Sequence, residues 1–198
     1  MASLRQRHGV AMPRELDAGP YRLRAPRSLD APRLLGAVRD SLPELCRWMR
    51  WATPDYGPAD ALWWVQSAER RWDEGSGYEF LVMSRLARRV LGACGLELID
   101  RLNQRANLGY WVRTNATGQG IATMAAAEVA RVGFEVLGLK RIEIVVAVEN
   151  APSLAVARKL GARPEGVQRN RLLLADGAHD AMMHALVPGD PLGGLIER

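Results

Sequence analysis

Cysteine, lysine, phenylalanine and histidine are all scarce in this chain. Cys46 and Cys94 are the only cysteines among 198 residues, too few for a disulfide framework. Together with His8, His179 and His184 they show no metal-ligand spacing, so no structural metal is expected. No apolar run approaches the length of a membrane span, and the Met1 end lacks the apolar core of a signal peptide. A cytoplasmic protein without a membrane partner is the expectation. Lys140 and Lys159 are the only lysines, so the net charge of +5 comes almost wholly from arginine. An Arg-, Ala- and Gly-rich bias accompanies GC-rich coding, so this charge does not by itself imply nucleic acid. A basic surface still helps capture an anionic cofactor.

What remains is ordinary for a globular protein: 48% hydrophobic and 25% charged residues, enough for one domain with a full core. Residues 1–20 read as a tail, 21–190 as a single domain and 191–198 as a second tail. Tyr21–Ala25 reads as a strand, followed by helices from Ser28 or Asp30 to about Ser41, from Pro43-Glu44 through Met49, and over Ala59–Trp72. The period then changes. Tyr78–Met83, Val90–Ile99 and Arg105–Val112 are strand-like with short links, which implies antiparallel pairing. The helical period returns from Gly120 to Gly138, with Ile121, Met124, Ala125, Val129, Val132 and Val136 on one face. Arg141–Glu149 has both faces apolar, as a central strand requires. A short helix over Asn150–Leu160 and strands near Val167–Leu174 and Asp180–Val187 complete an α/β order: antiparallel meander, βαβ crossover, terminal hairpin. There is no internal repeat.

The window Thr114–Thr123, TNATGQGIAT, carries the chemistry. Gly118 and Gly120 fall where a strand gives way to a helix. There, main-chain N–H groups with partial positive charge can hold a phosphate without a charged side chain. A tight turn explains two glycines equally well. A dinucleotide fingerprint fits less well, because Thr123 stands at its third glycine and no acid follows at the ribose-binding spacing of roughly 20 residues. No Gly-Lys-Ser/Thr follows, which excludes a P-loop.

The surrounding residues are more specific than the glycines. Asn115-Ala116-Thr117-Gly118-Gln119-Gly120, preceded by Leu108-Gly109-Tyr110-Trp111 and followed by Ile121-Ala122-Thr123, resembles the acyl-CoA motif of the Gcn5-related N-acetyltransferase (GNAT) superfamily. Glu149-Asn150-Ala151-Pro152-Ser153, ahead of a helix ending at Leu160-Gly161, is similar to that superfamily's ribosomal-protein N-terminal acetyltransferase (RimJ/RimL-type) group. The resemblance covers Val90–Arg169. Asn115 stands where Arg or Gln is usual, and Ala162 where Phe is common.

The resemblance implies a GNAT (acyl-CoA N-acyltransferase) fold: a mixed, mostly antiparallel central sheet with a splayed parallel strand pair, flanked by helices. It implies acetyl-CoA as cosubstrate, with main-chain groups of Trp111, Val112 and Arg113 along its pantetheine arm. Its pyrophosphate would lie at Gly118, Gln119, Gly120, Ile121, Ala122 and Thr123. Asn150 and Ser153 would also contact it. The family's frequent tyrosine acid would fall at Ala157 and is absent, leaving Ser153 as the best replacement, as proton donor or thiol-binding group. Glu97, mid-strand beside the expected cleft, is the best base candidate, directly or through water, with Asp100 second. The implied activity is acetyl transfer in a ternary complex to a primary amine, foremost the α-amine of a protein such as a ribosomal protein. Alternatives are a small amine (antibiotic or polyamine), for which Asp55, Asp60 and Glu69 would supply acidic contacts, a longer acyl donor, or a non-catalytic acyl-CoA-binding module. A homodimer is compatible with all of these.

Overall fold

The computed structural model describes residues 11–86 and 89–194. His8 and the outer parts of both expected tails lie outside the described residues. Eight strands form one sheet: β1 (Glu15–Ala18), β2 (Tyr21–Arg24), β3 (Tyr78–Ser84), β4 (Val90–Asp100), β5 (Arg105–Val112), β6 (Arg141–Ala147), β7 (Arg163–Leu174) and β8 (Gly177–Leu186). Their spatial order is β1-β2-β3-β4-β5-β6-β8-β7. Among the described residues five α-helices flank it: α1 (Ala31–Arg39), α2 (Leu42–Trp48), α3 (Pro58–Glu74), α4 (Ile121–Glu135) and α5 (Ala151–Leu160).

Two boundaries differ from the sequence expectation. The sheet starts within the segment read as a tail, because Glu15–Ala18 pairs antiparallel with Tyr21–Arg24. A two-residue turn joins them, with Gly19 at φ 60, a conformation glycine adopts without strain. At the other end Leu192 packs on the core and the Gly193 N–H donates to the Leu160 carbonyl at 3.1 Å. The ordered unit therefore extends past residue 190.

Proline and glycine punctuate the helices. Pro occupies the first turn of α1, α2, α3 and α5, where no intrahelical N–H bond is lost. Gly75 and Gly161 close α3 and α5 in the left-handed conformation, at φ 65 and 90.

Every neighbouring strand pair is antiparallel except β5 and β6, which are joined through the α4 crossover and run parallel. That one pair is short. Arg105, Ala106 and Asn107 pair with Arg141, Ile142 and Glu143, and no later residues do. From Leu108 and Ile144 onward the strands diverge. The paired end carries a ladder of charges: Asp100 to Arg105 (3.2 Å), Arg105 to Glu143 (3.4 Å), Glu143 to Arg141 (2.8 Å) and Arg141 to Glu165 (2.5 Å).

Separate cores cover the two faces. Leu96, Leu108, Val129, Ile142, Ile144 and Leu160 belong to the one that contains α4 and α5. Leu34, Val38, Val65, Leu81 and Trp111 belong to the one beneath α1–α3. Each fully buried Leu or Ile contributes on the order of 1.5–3 kcal/mol. The buried face of α4 is wider than expected, adding Ala126, Ala127 and Ala130. Those small residues bring the helix close: a Cβ on Gly133 would lie 3.0 Å from Leu96 and 3.1 Å from Ile142.

Candidate active site

The divergence of β5 from β6 leaves main-chain groups on an internal strand edge. The Arg113 N–H donates to the Leu91 carbonyl at 2.7 Å, so that peptide faces β4. Main-chain polar groups alternate in direction along a strand, so those of Tyr110 and Val112 face the opening. Arg113 is thus not free to bind along the edge. Its guanidinium is buried and paired with Asp40 of the α1 cap. The Trp111 side chain is also committed elsewhere, packed against Trp51 with ring centroids 6.0 Å apart.

At the end of the opening, α4 begins. Gly118 and Gly120 have φ 77 and 74, and no side chain caps the helix. No acid stands in its first turn. The N–H groups of Ile121, Ala122 and Thr123 have no intrahelical acceptor by geometry and point out along the axis. The Thr123 side chain is buried, and a Cβ on Gly194 would fall 3.0 Å from its Cγ2, which leaves Thr123 its main chain to offer. The Gln119 carbonyl accepts from the Tyr21 hydroxyl at 3.4 Å. An uncapped helix end with no nearby acid suits a pyrophosphate, and an open strand edge suits an amide-bearing arm. The residues present fit acetyl-CoA.

A cleft of about 260 Å³ passes through the divergence, and it brings Glu97, Asn150 and Ser153 together. Glu97 is exposed, and its Oε1 accepts from Asn107 Nδ2 at 2.9 Å. Beside it, Leu98 sits at φ 51 in a bulge that interrupts the β4–β5 register. Asp100 lies outside the cleft lining. Hydrogen bonds from Asn103, then from Arg105, hold its carboxyl near pKa 2, which makes it a weak base. Asn150 caps α5: its Oδ1 accepts from the Ser153 N–H at 3.2 Å.

Ser153 finds a partner with no local signature. Ser153 Oγ donates to the Tyr110 hydroxyl at 3.2 Å, and that hydroxyl donates to the Ser153 carbonyl at 3.1 Å. Burial pushes the Tyr110 pKa up to about 12, with the Ser153 hydrogen bond acting the other way, so the phenol keeps its proton at neutral pH. In sequence Tyr110 is one residue of a strand, and its one signal is the alternation with Gly109 and Trp111. Ala157, by contrast, is fully buried in the core, where a tyrosine ring has no room.

Other groups fall elsewhere. Trp48 and Met49 line the cleft, whereas Trp63 is exposed away from it. Asp55 is bonded to Thr53, Asp60 to the Gly57 N–H and Glu69 to Ser28, and none of the three lines the cleft. His184 is buried, with its pKa lowered by burial, and His179 is bonded to Asp176 at 2.8 Å.

The acetyltransferase (GNAT) domain model matches residues 21–163, most of the chain. The chain belongs to the GNAT acetyltransferase family. An uncharacterized N-acetyltransferase, p20, from Bacillus licheniformis is 33% identical over 65% of this chain and 71% of its own. A ribosomal-protein-serine acetyltransferase from Escherichia coli K12 is 28% identical over 56% of this chain and 62% of its own. Among solved structures, the microcin C7 self-immunity acetyltransferase MccE, in complex with acetyl-CoA and AMP, aligns with TM-score 0.82 at 21% identity, over 89% of this chain and 98% of that one. The mixed sheet with one parallel pair is the GNAT fold, and the protein is a GNAT-type N-acetyltransferase. No helix among the described residues is long and apolar enough to cross a membrane.

Proposed function

We propose that this GNAT enzyme acetylates the α-amine of a protein N-terminus, such as that of a ribosomal protein, by direct attack in a ternary complex in the cytoplasm. The observation that carries this reading is the composition of the cleft: Glu97 and the Ser153–Tyr110 hydroxyl pair share it, without a cluster of carboxylates. An α-amine has a pKa of about 7.7–8.0, so a good fraction is neutral at physiological pH; a lysine amine near 10.4 needs a stronger base. One exposed glutamate suffices for the first. A polyamine or aminoglycoside would be met by several acids, and Asp55, Asp60 and Glu69 are engaged elsewhere.

Acetyl-CoA, when bound, supplies an acetyl thioester as electrophile. The N–H groups of Gln119, Gly120, Ile121 and Ala122 at the α4 N-terminus would hold its pyrophosphate, with Gly118 shaping the turn and Thr123 adding a main-chain donor. Val112 and Tyr110 would offer main-chain groups to its arm. A Val112 N–H facing the opening is placed to stabilise negative charge on a carbonyl oxygen. Glu97 would take the amine's proton, directly or through water. Turned from its hydrogen bond to Tyr110, the Ser153 hydroxyl would donate a proton to the departing thiolate. Asn150 fixes the Ser153 backbone.

Thiol release from acetyl-CoA, measured against N-terminal peptides, polyamines and aminoglycosides, tests the reading. Peptides are expected to turn over fastest. Glu97→Gln and Ser153→Ala should each lower kcat by about 10²-fold, the scale of general acid–base assistance. Turnover of small amines alone would overturn the acceptor. Tight CoA binding with no turnover of any amine would overturn catalysis.

A further inference from the structure

Two of the cleft's walls carry β-bulges, and each bulge holds a non-glycine residue in the left-handed region. On β4, Leu98 (φ 51) follows Glu97, where two residues face one on β5. On β7, Asn170 (φ 50) precedes Arg171, where three residues face one on β8. Asn170 is fastened there by its N–H, which donates to Asp180 Oδ1 at 2.9 Å. Left-handed non-glycine residues cost on the order of 1–3 kcal/mol and gather at functional sites; bulges serve to re-aim a side chain. Here both bulges aim at one cleft, which Glu97 and Arg171 both line. In strand order β4 and β7 stand on opposite sides of the opening.

The two charges so placed are uncompensated. Glu97 accepts from the neutral Asn107 side chain and has no cation within 4 Å among the described residues. Arg171 Nε donates to Gln168 at 3.0 Å, and no carboxylate lies within 4 Å of its guanidinium among the described residues. Neighbouring charges are occupied. Glu149 and Asp176 flank His179, Asp180 holds the Asn170 N–H, and Arg47 lies over the Trp48 ring. The cleft that holds the two free charges is also lined by Trp48, Met49, Leu98 and Leu172.

We infer that the acceptor peptide carries a carboxylate side chain at its second or third residue, which Arg171 binds while the terminal amine meets Glu97. This rests on the N-terminal reading above and sharpens it: the complement of a cleft with one free carboxylate and one free guanidinium is an amine linked to an acid. A polycation finds one attractive and one repulsive charge there.

The test compares kcat/KM for peptides of one sequence with Glu, Gln or Lys at the second and third positions. The native enzyme should rank Glu over Gln over Lys, with about fivefold per step, the scale of one exposed ion pair. Arg171→Glu should reverse the order to Lys over Gln over Glu, and Arg171→Gln should flatten it. Raising the salt concentration should compress both rankings. Melting midpoints for the two variants near the native value establish that they fold. If peptides are acetylated with the same ranking, or none, in native and Arg171→Glu enzymes, the inference is overturned and the N-terminal reading stands. If no peptide is acetylated while free amino acids or polyamines are, both fall.

Discussion

Substitution at Gly118 and Gly120 separates the shape of the α4 turn from its chemistry. Both glycines have φ near +75, where an L side chain costs about 1–2 kcal/mol. Alanine also restricts the unfolded chain, which returns about 0.4–1 kcal/mol. No steric cost adds at Gly118, since nothing lies within 4 Å of a Cβ there; at Gly120 the nearest atom is the flexible Met124 Cε at 3.3 Å. The net loss is therefore about 1 kcal/mol for either alanine, a fall in Tm of about 2–4 °C for a chain this size. Binding should suffer more. A turn that relaxes toward negative φ swings away N–H groups, each worth about 1.5–3 kcal/mol to a charged partner, so the Kd for CoA should rise about 10- to 100-fold. Gly120→Glu discriminates further, because a carboxylate at a helix N-terminus favours the helix by about 0.3–1 kcal/mol while repelling pyrophosphate. Its Tm should match or exceed that of Gly120→Ala, and its CoA affinity should be the weakest of the three. Thermal melting and isothermal calorimetry with CoA supply both readouts. A CoA Kd within twofold of native in all three variants would refute the placement of the pyrophosphate.

Two further outcomes follow from burial and charge. The Asp176 hydrogen bond, then burial acting against it, and the nearby Glu149 leave the His179 pKa above its ordinary value. A histidine raised in the fold stabilises it fully below the unfolded value of about 6.5 and loses that contribution as pH rises through the folded value. An NMR titration of His179 should therefore show a raised midpoint that falls in Asp176→Asn; an unchanged midpoint would refute the assignment. Burial pushes the Cys94 thiol up, while Cys46 is partly accessible. A thiol reagent should modify one cysteine per native chain and the second only after denaturation.

Local pattern revealed most of the fold. The alternation of Ile142, Ile144 and Val146 marked a buried central strand, and glycine and proline marked helix ends that the structure places within a few residues. Glu15–Ala18 escaped notice because a four-residue strand has too few positions to show a period. The site was legible in part. Asn150, Ser153 and Glu97, each singled out by a motif or a strand position, line one cleft. What escaped were contacts between distant segments. Tyr110 and Ser153 are 43 residues apart, and Arg113 and Asp40 are 73 apart. Neither pair has a local signature, and the second ties down the Arg113 side chain. The Leu98 bulge was invisible, since leucine rarely adopts the left-handed region; at Asn170 the asparagine, the kind of non-glycine residue that most readily adopts it, was the one local signal.

The three residue pairs that join β5 to β6 make a scissor joint of the sheet. On one side lie β1 to β5, on the other β6, β8 and β7, with α4 spanning the gap as the crossover. The pivot is the charge ladder from Asp100 to Glu165, built largely of partly exposed ion pairs. Ion pairs reinforce the three main-chain pairings at this joint, so ionic strength acts on its stiffness, while the core beneath α4 and α5, which runs from Leu96 and Leu108 across to Ile142 and Ile144, is indifferent to salt.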